Sequence, residues 1–169
     1  CRQLHTIPDL SACTQLTEIE LDGCNQLTSI SSLSSCTSLN KLTLRWSDLP
    51  DTALESLETC AGLTSLNLFH CIQLKTFPNL AACAQLSEIK IWGCPNLTSL
   101  SSLARCPSLS DLYISNCDAL PNESFKVLES CTALRSLEVE RCPLLRNGPN
   151  LRACKDLVSY SFEQCGQDG

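Results

Sequence analysis

Cys83-Ala84-Gln85-Leu86-Ser87-Glu88-Ile89-Lys90-Ile91-Trp92-Gly93-Cys94-Pro95-Asn96-Leu97-Thr98-Ser99-Leu100-Ser101-Ser102-Leu103-Ala104-Arg105-Cys106 carries two hydrophobic periods in succession. Ile89 and Ile91 alternate with polar residues, the period-2 pattern of a short strand with one buried face. From Cys94 onward the apolar residues Leu97, Leu100, Leu103 and Cys106 fall at every third position. Period 3 matches neither an α-helix nor a strand; it fits a 3₁₀ or polyproline-like coil with one edge facing inward. A strand followed by such a coil returns the chain to where it started, one layer further along.

The same unit recurs along the chain. Cys13, Cys36, Cys60, Cys83, Cys106, Cys131 and Cys154 are spaced 23, 24, 23, 23, 25 and 23 residues apart. Eleven residues after each stands a second series, Cys24, Ser47, Cys71, Cys94, Cys117, Cys142 and Cys165, broken only by Ser47. Between the two series every repeat follows C-x2-L-x2-L-x-L-x2-C, with Ile, Val, Tyr or Phe at some leucine positions. A fixed period of this length marks a solenoid whose units stack strand on strand about 4.8 Å apart, each burying its neighbour's apolar edge. Two repeats are longer: Ser47 to Cys60 and Cys117 to Cys131. Each carries an acidic or capping residue followed by helix formers. Short α-helices are predicted there, with Leu54, Leu57, Phe125 and Leu128 inward, and 3₁₀ or irregular coil in the others.

The expectation is one α/β solenoid over residues 1–169, of about seven repeats of 23–25 residues, with a parallel sheet on the concave side. The chain opens at Cys1, inside a repeat, and so reads as a segment of a longer one. Apolar residues at 43% and charged residues at 18% describe a soluble globular domain, and no apolar run approaches the length of a membrane span. Twelve basic against eighteen acidic residues give a net charge of −6 with no basic stripe, which argues against nucleic acid.

Fourteen cysteines raise two other readings. A secreted disulfide framework is one, and the sequons Asn96-Leu97-Thr98 and Asn122-Glu123-Ser124 are compatible with it. The cysteines nevertheless sit in periodic, core-facing slots, where a reduced thiol acts as a small hydrophobe with a weak donor. Rows of reduced thiols imply a reducing compartment, cytoplasmic or nuclear, with secretion as the alternative. Metal binding is the other reading. The closest cysteine spacing is 11 residues and no C-x2-C pair occurs, so no metal and no cofactor are expected.

The strand positions between and beside the leucines point outward. The chain has eight aromatic residues. Phe77, Phe125, Tyr160 and Phe162 occupy core slots. Trp46, Phe69, Trp92 and Tyr113 fall on exposed positions of consecutive repeats, and Arg45, His70 and Lys90 interleave with them. Exposed aromatic rings beside cations are the residue types that dominate protein interfaces. Arg45, Trp46, Phe69, His70, Lys90, Trp92 and Tyr113 are therefore the expected partner-binding residues. The acid pairs Glu18/Glu20 and Glu138/Glu140 share strand faces but lie on an open surface, where they are read as solvated charge. No phosphate loop, H-E-x-x-H or G-x-S-x-G occurs, and an enzyme is not expected.

The C-x2-L-x2-L-x-L-x2-C frame resembles the leucine-rich repeat of cysteine-containing type. It is similar to the repeats of substrate-recognition subunits of ubiquitin ligases. The stretch Ile91-Trp92-Gly93-Cys94-Pro95-Asn96-Leu97-Thr98-Ser99-Leu100 looks like repeats of plant intracellular immune receptors. A microbial or host-directed effector with such repeats is a further possibility. The resemblance implies a curved horseshoe segment. The expected function is recognition of a protein partner on its concave sheet. The alternative is a structural scaffold whose aromatic patch packs on flanking domains or self-associates, or, as the resemblance implies, the substrate-recognition part of a ubiquitin ligase or of an immune receptor.

Overall fold

The computed structural model describes residues 3–166, so Cys1 lies outside the described residues. Seven strands form one parallel sheet in chain order: β1 Glu18–Asp22, β2 Lys41–Arg45, β3 Ser65–Phe69, β4 Glu88–Trp92, β5 Asp111–Ser115, β6 Ser136–Glu140 and β7 Ser159–Glu163. Every register pairs equivalent residues. Leu42, Leu66, Ile89, Leu112 and Leu137 thus form one inward row, and Leu44, Leu68, Ile91, Ile114 and Val139 a second. Both rows are buried.

Behind the sheet, period 3 becomes a run of tight turns. The amide of the third residue after a first-series cysteine returns to that cysteine's carbonyl, as from Leu39 to Cys36 at 3.0 Å and from Leu86 to Cys83 at 3.0 Å. Hydroxyls tie each layer to the one before. Ser38 donates to the Thr14 carbonyl at 2.7 Å, Thr64 to that of Asn40 at 3.0 Å, and Ser110 to that of Ser87 at 3.1 Å. The abundance of Ser and Thr is thereby explained as a hydrogen-bond ladder.

The two long repeats differ from expectation. Asp51–Thr59 and Asn122–Ser130 are 3₁₀ segments, not α-helices. Leu54, Leu57 and Cys60, like Phe125, Leu128 and Cys131, are three apart and all buried, and a helix of three residues per turn keeps that spacing on one edge. The expected caps also act elsewhere. Neither segment has a side-chain N-cap bond. Asp51 instead accepts the amides of Lys75 and Thr76 in the next layer, at 2.8 and 3.2 Å. Asn122 accepts those of Arg146 and Asn147, at 3.0 and 2.9 Å. Their polar groups join neighbouring repeats where a backbone rung is missing.

Phe77 and Phe125 are buried as expected, but Tyr160 is 64% exposed and Phe162 only half-buried. Their strand β7 is the last of the described sheet, so its inward face is covered from one side only.

All thirteen described cysteines are free, and eleven are buried. Each second-series thiol donates to the carbonyl two residues back, and Cys71, Cys94 and Cys165 also reach one in the preceding repeat. Cys94 reaches Trp92 at 3.8 Å and Leu68 at 3.9 Å, and Cys165 reaches Glu163 at 3.4 Å and Val139 at 3.6 Å. Ser47 fills the same slot, fully buried, but its shorter hydroxyl finds no partner. A buried, unpaired hydroxyl is destabilising by about 1–3 kcal/mol. Ser47→Cys is therefore expected to stabilise the fold by about 1 kcal/mol. The urea midpoint under reducing conditions checks this; an unchanged or lower midpoint contradicts it.

Burial pushes the thiols of Cys83 and Cys131 up to about 11 and those of Cys106 and Cys142 up to about 12, from an ordinary 9.0. The unfolded chain releases these protons near pH 9, while the folded chain holds them. The stabilisation is complete below pH ~9 and is lost as pH rises towards ~11–12. Urea midpoints are expected to be level from pH ~7 to ~8 and to fall steadily by pH ~10. A midpoint that holds or rises across that interval contradicts the assignment.

Candidate functional site

Each strand ends in one residue that turns the chain inward. Strand alternation alone would leave the second-series cysteine on the same side as the outward residue two positions before it. The residue between them has positive φ in all seven repeats: Gly23, Trp46, His70, Gly93, Asn116, Arg141 and Gln164, at φ 49 to 67°. Its amide makes the last rung of the ladder, as from Trp46 to Phe69 at 2.9 Å and from His70 to Trp92 at 2.7 Å. Its left-handed twist then sends the cysteine into the core. A non-glycine residue there is destabilising by roughly 1–2 kcal/mol. Trp46 and His70 are held in that conformation side by side, along the edge of the open sheet face.

Their rings form a connected row. Trp46 and His70 stack with centroids 3.7 Å apart and planes 9° from parallel. His70 meets Trp92 edge-on at 4.4 Å, and Phe69 meets Trp92 in a T-shape at 6.5 Å. The Arg45 guanidinium lies over the Phe69 ring at 4.4 Å and bonds Glu20 through Nε at 2.8 Å. Gly93 makes this possible: a Cβ there would lie 2.6 Å from His70 Nδ1. Trp46 is 55% and Trp92 38% exposed.

The sequence-derived residues thus divide into two groups. Arg45, Trp46, Phe69, His70 and Trp92 form the ring cluster. Lys90 and Tyr113 lie apart from it, paired in register with each other. Tyr113 makes no ring contact with the row; its hydroxyl donates to Glu140 at 3.2 Å, and burial raises its pKa. Lys90 pairs with Glu88 at 2.6 Å. That ammonium, with a hydrogen bond from Ser65, holds the Glu88 carboxyl below its ordinary range. The two groups meet at a shallow depression of about 360 Å³, bordered by Phe69, Lys90 and Tyr113 together with Glu88, Asp111 and Glu138.

Three features escaped the sequence reading. Thr43, Ser65 and Asn67 were expected to be outward and exposed; they are on the open face, yet buried. Their polar groups pair across the layers: Ser65 donates to Glu88 at 2.8 Å, and Asn67 donates to Thr43 at 3.2 Å and to Ser65 at 3.4 Å. The grouping of Glu88, Asp111 and Glu138 is the second, because acids in three different repeats meet only through the register. The left-handed column is the third, and Gly23, Gly93 and Asn116, all just before a cysteine, were its available signal.

Chemically, the face offers rings and carboxylates for contact. Glu18 and Glu20, one of the acid pairs, are each engaged by a cation, Lys41 at 2.6 Å and Arg45 at 2.8 Å. Among the described residues no three His, Cys, Asp or Glu side chains converge so as to hold a metal, and no helix is long and apolar enough to cross a membrane.

No family model and no curated protein matches this chain. Solved structures do. An internalin C2 from Listeria monocytogenes superposes with a TM-score of 0.71 at 18% identity, covering 94% of this chain and 76% of that one. The leucine-rich repeat domain of the type III effector XopL superposes with a TM-score of 0.60 at 21% identity, over 94% of this chain. The fold is a leucine-rich repeat solenoid. This leucine-rich repeat chain spans 60% of the XopL domain's length. At these identities the likeness speaks for the fold alone. The ring row is a property of this leucine-rich repeat's own side chains.

Gly93→Ala is expected to lower stability by about 1–2 kcal/mol, because alanine is strained at φ +67. It is also expected to displace His70 from its stack on Trp46. The chain has two histidines, so the His70 ring protons are readily followed by NMR. They should lose the shielding of the indole; unchanged shifts contradict the packing.

Proposed function

We propose that this leucine-rich repeat segment binds another protein on its open sheet face, with Trp46 and Trp92 as the anchoring side chains. The observation that carries the reading is the continuous row Trp46–His70–Trp92, joined to Phe69 and Arg45, on an otherwise polar face. Both tryptophans of the chain are in it. Tryptophan and arginine are the residues most enriched at energetic hot spots. Solenoids of this kind present extended surfaces for binding.

Magnitudes support an extended contact over a single pocket. Covering the exposed parts of the two indoles removes roughly 200 Å² from water, worth about 5 kcal/mol. Association opposes this with about 4–15 kcal/mol of lost freedom. The two rings alone therefore give weak binding, and a stable complex needs a wider footprint. Seven strands of five residues span roughly 30 by 16 Å. A partner burying about 800 Å² on its side would cover most of that face and its rim. The rigid ladder helps, since side chains already stacked lose little freedom on binding. Binding, not catalysis, is the activity proposed, and a reducing compartment is its proposed setting, which the free buried thiols support.

Protein fragments displayed on phage and selected on the immobilised chain test the reading. Selected binders are expected to lose about 30-fold in affinity, or ~2 kcal/mol, for Trp92→Ala, with the variant still folded under the binding conditions by its urea transition. Equal affinity for Trp92→Ala and the parent chain sinks the assignment.

A further inference from the structure

The open face is divided in charge. On β1 and β2 the outward acids Glu18 and Glu20 are matched by Lys41 and Arg45. On β4, Lys90 matches Glu88. Across β5, β6 and β7 the outward positions hold Asp111, Glu138, Glu140 and Glu163 and no basic residue. The surface therefore changes, within two strand spacings of Trp92, from rings and matched charge to carboxylates without a cation opposite them in the ladder.

The depression of about 360 Å³ lies at that boundary. Phe69 and Tyr113 give it two aromatic walls. Glu88, Asp111 and Glu138 give it three carboxylates against one ammonium, Lys90, which Glu88 already engages. Aromatic faces attract cations, and a carboxylate accepts the planar fork of a guanidinium through its two oxygens. The volume suits one long side chain and not a folded element. The Arg45 guanidinium already lies at 4.4 Å over Phe69, so the same ring accepts a cation within this chain.

Resting on the protein-binding reading above, we infer that the depression receives an arginine or lysine side chain from an extended, basic segment of the partner. The apolar neighbours of that residue lie along Trp92, His70 and Trp46. A matching partner brings its cation to Asp111 and Glu138, where no intramolecular ion pair has to be broken. Glu140 is held by Tyr113 and Ser115 and supports the wall instead of the guest. Acidic flanks of this kind raise the association rate for a basic partner and make it sensitive to salt.

Short random peptides displayed on phage, selected in parallel on the parent chain and on Asp111→Asn/Glu138→Gln, test this. Both substitutions are isosteric and lie on the open face, and matched urea midpoints verify the fold. The parent chain is expected to enrich peptides with an arginine or lysine at one position beside apolar residues. The double variant is expected not to enrich for that cation. A synthetic peptide from the parent selection should bind at least tenfold more weakly when its arginine is replaced by citrulline, and weaken with added salt. Enriched peptides that lack the cation, enrichment unchanged on the double variant, or no enrichment at all overturn the inference. Peptides without a cation that still lose affinity for Trp92→Ala overturn the cation site alone and leave the wider reading standing. Peptides indifferent to Trp92→Ala count against both.

Discussion

In-register stacking of equivalent residues is the constraint on which everything else in this molecule rests. Because each strand lies directly over its counterpart, one position in the repeat becomes a row in space. Leucines make two inward rows, thiols make two more, and hydroxyls bond the layer beneath. A parallel sheet with a dry back is stable only if each turn leaves no polar group behind. The thiols meet that demand by donating weakly to carbonyls that already accept a backbone amide, as Cys94 does to Trp92 and Cys83 to Leu57. Ser47 shows the requirement by failing it: same slot, full burial, no partner.

The left-handed residue after each strand follows from the same geometry. Five of the seven such positions carry residues other than glycine, including Arg141 and Gln164, which lie outside the ring cluster. Positive φ is thus a property of the turn and not by itself a mark of function. What distinguishes Trp46 and His70 is that the conformation aligns two flat rings one strand spacing apart, and that Gly93 next in line leaves them room. A backbone device common to all repeats has been combined at two of them with side chains suited to contact.

The fold was legible because its signal repeats. The L-x-L step and the period-3 tail specify strand, coil and inward edge, and each copy checks the others. The long repeats show the limit of the reading: capping residues and helix formers suggested α-helices, but Leu54, Leu57 and Cys60 at strict spacing of three kept the tighter winding. Asp51 and Asn122, the polar residues that open these segments, are rungs to the next layer. The site was legible only in part. Alternation places Phe69 and Trp92 on the open face, whereas Trp46 joins them through the left-handed turn that follows β2. Which neighbours close over a short side chain depends on register in three dimensions, so the burial of Asn67 and the convergence of Asp111 with Glu138 were not readable one repeat at a time.

The ladder therefore supplies a stiff backing, and the individuality of the chain is confined to the few outward positions that the ladder does not dictate. Acids on the later strands, rings on the middle ones and matched ion pairs at the start give the face direction. Because both tryptophans lie in the ring row, tryptophan emission excited selectively over that of tyrosine reports on that row alone. The most direct measurement is acrylamide quenching of the native chain, free and with a selected binder. The account predicts solvent-exposed emission that acrylamide quenches readily in the free chain and poorly in the complex. Indoles shielded from acrylamide in the free chain, or equally quenched with the binder present, would contradict it.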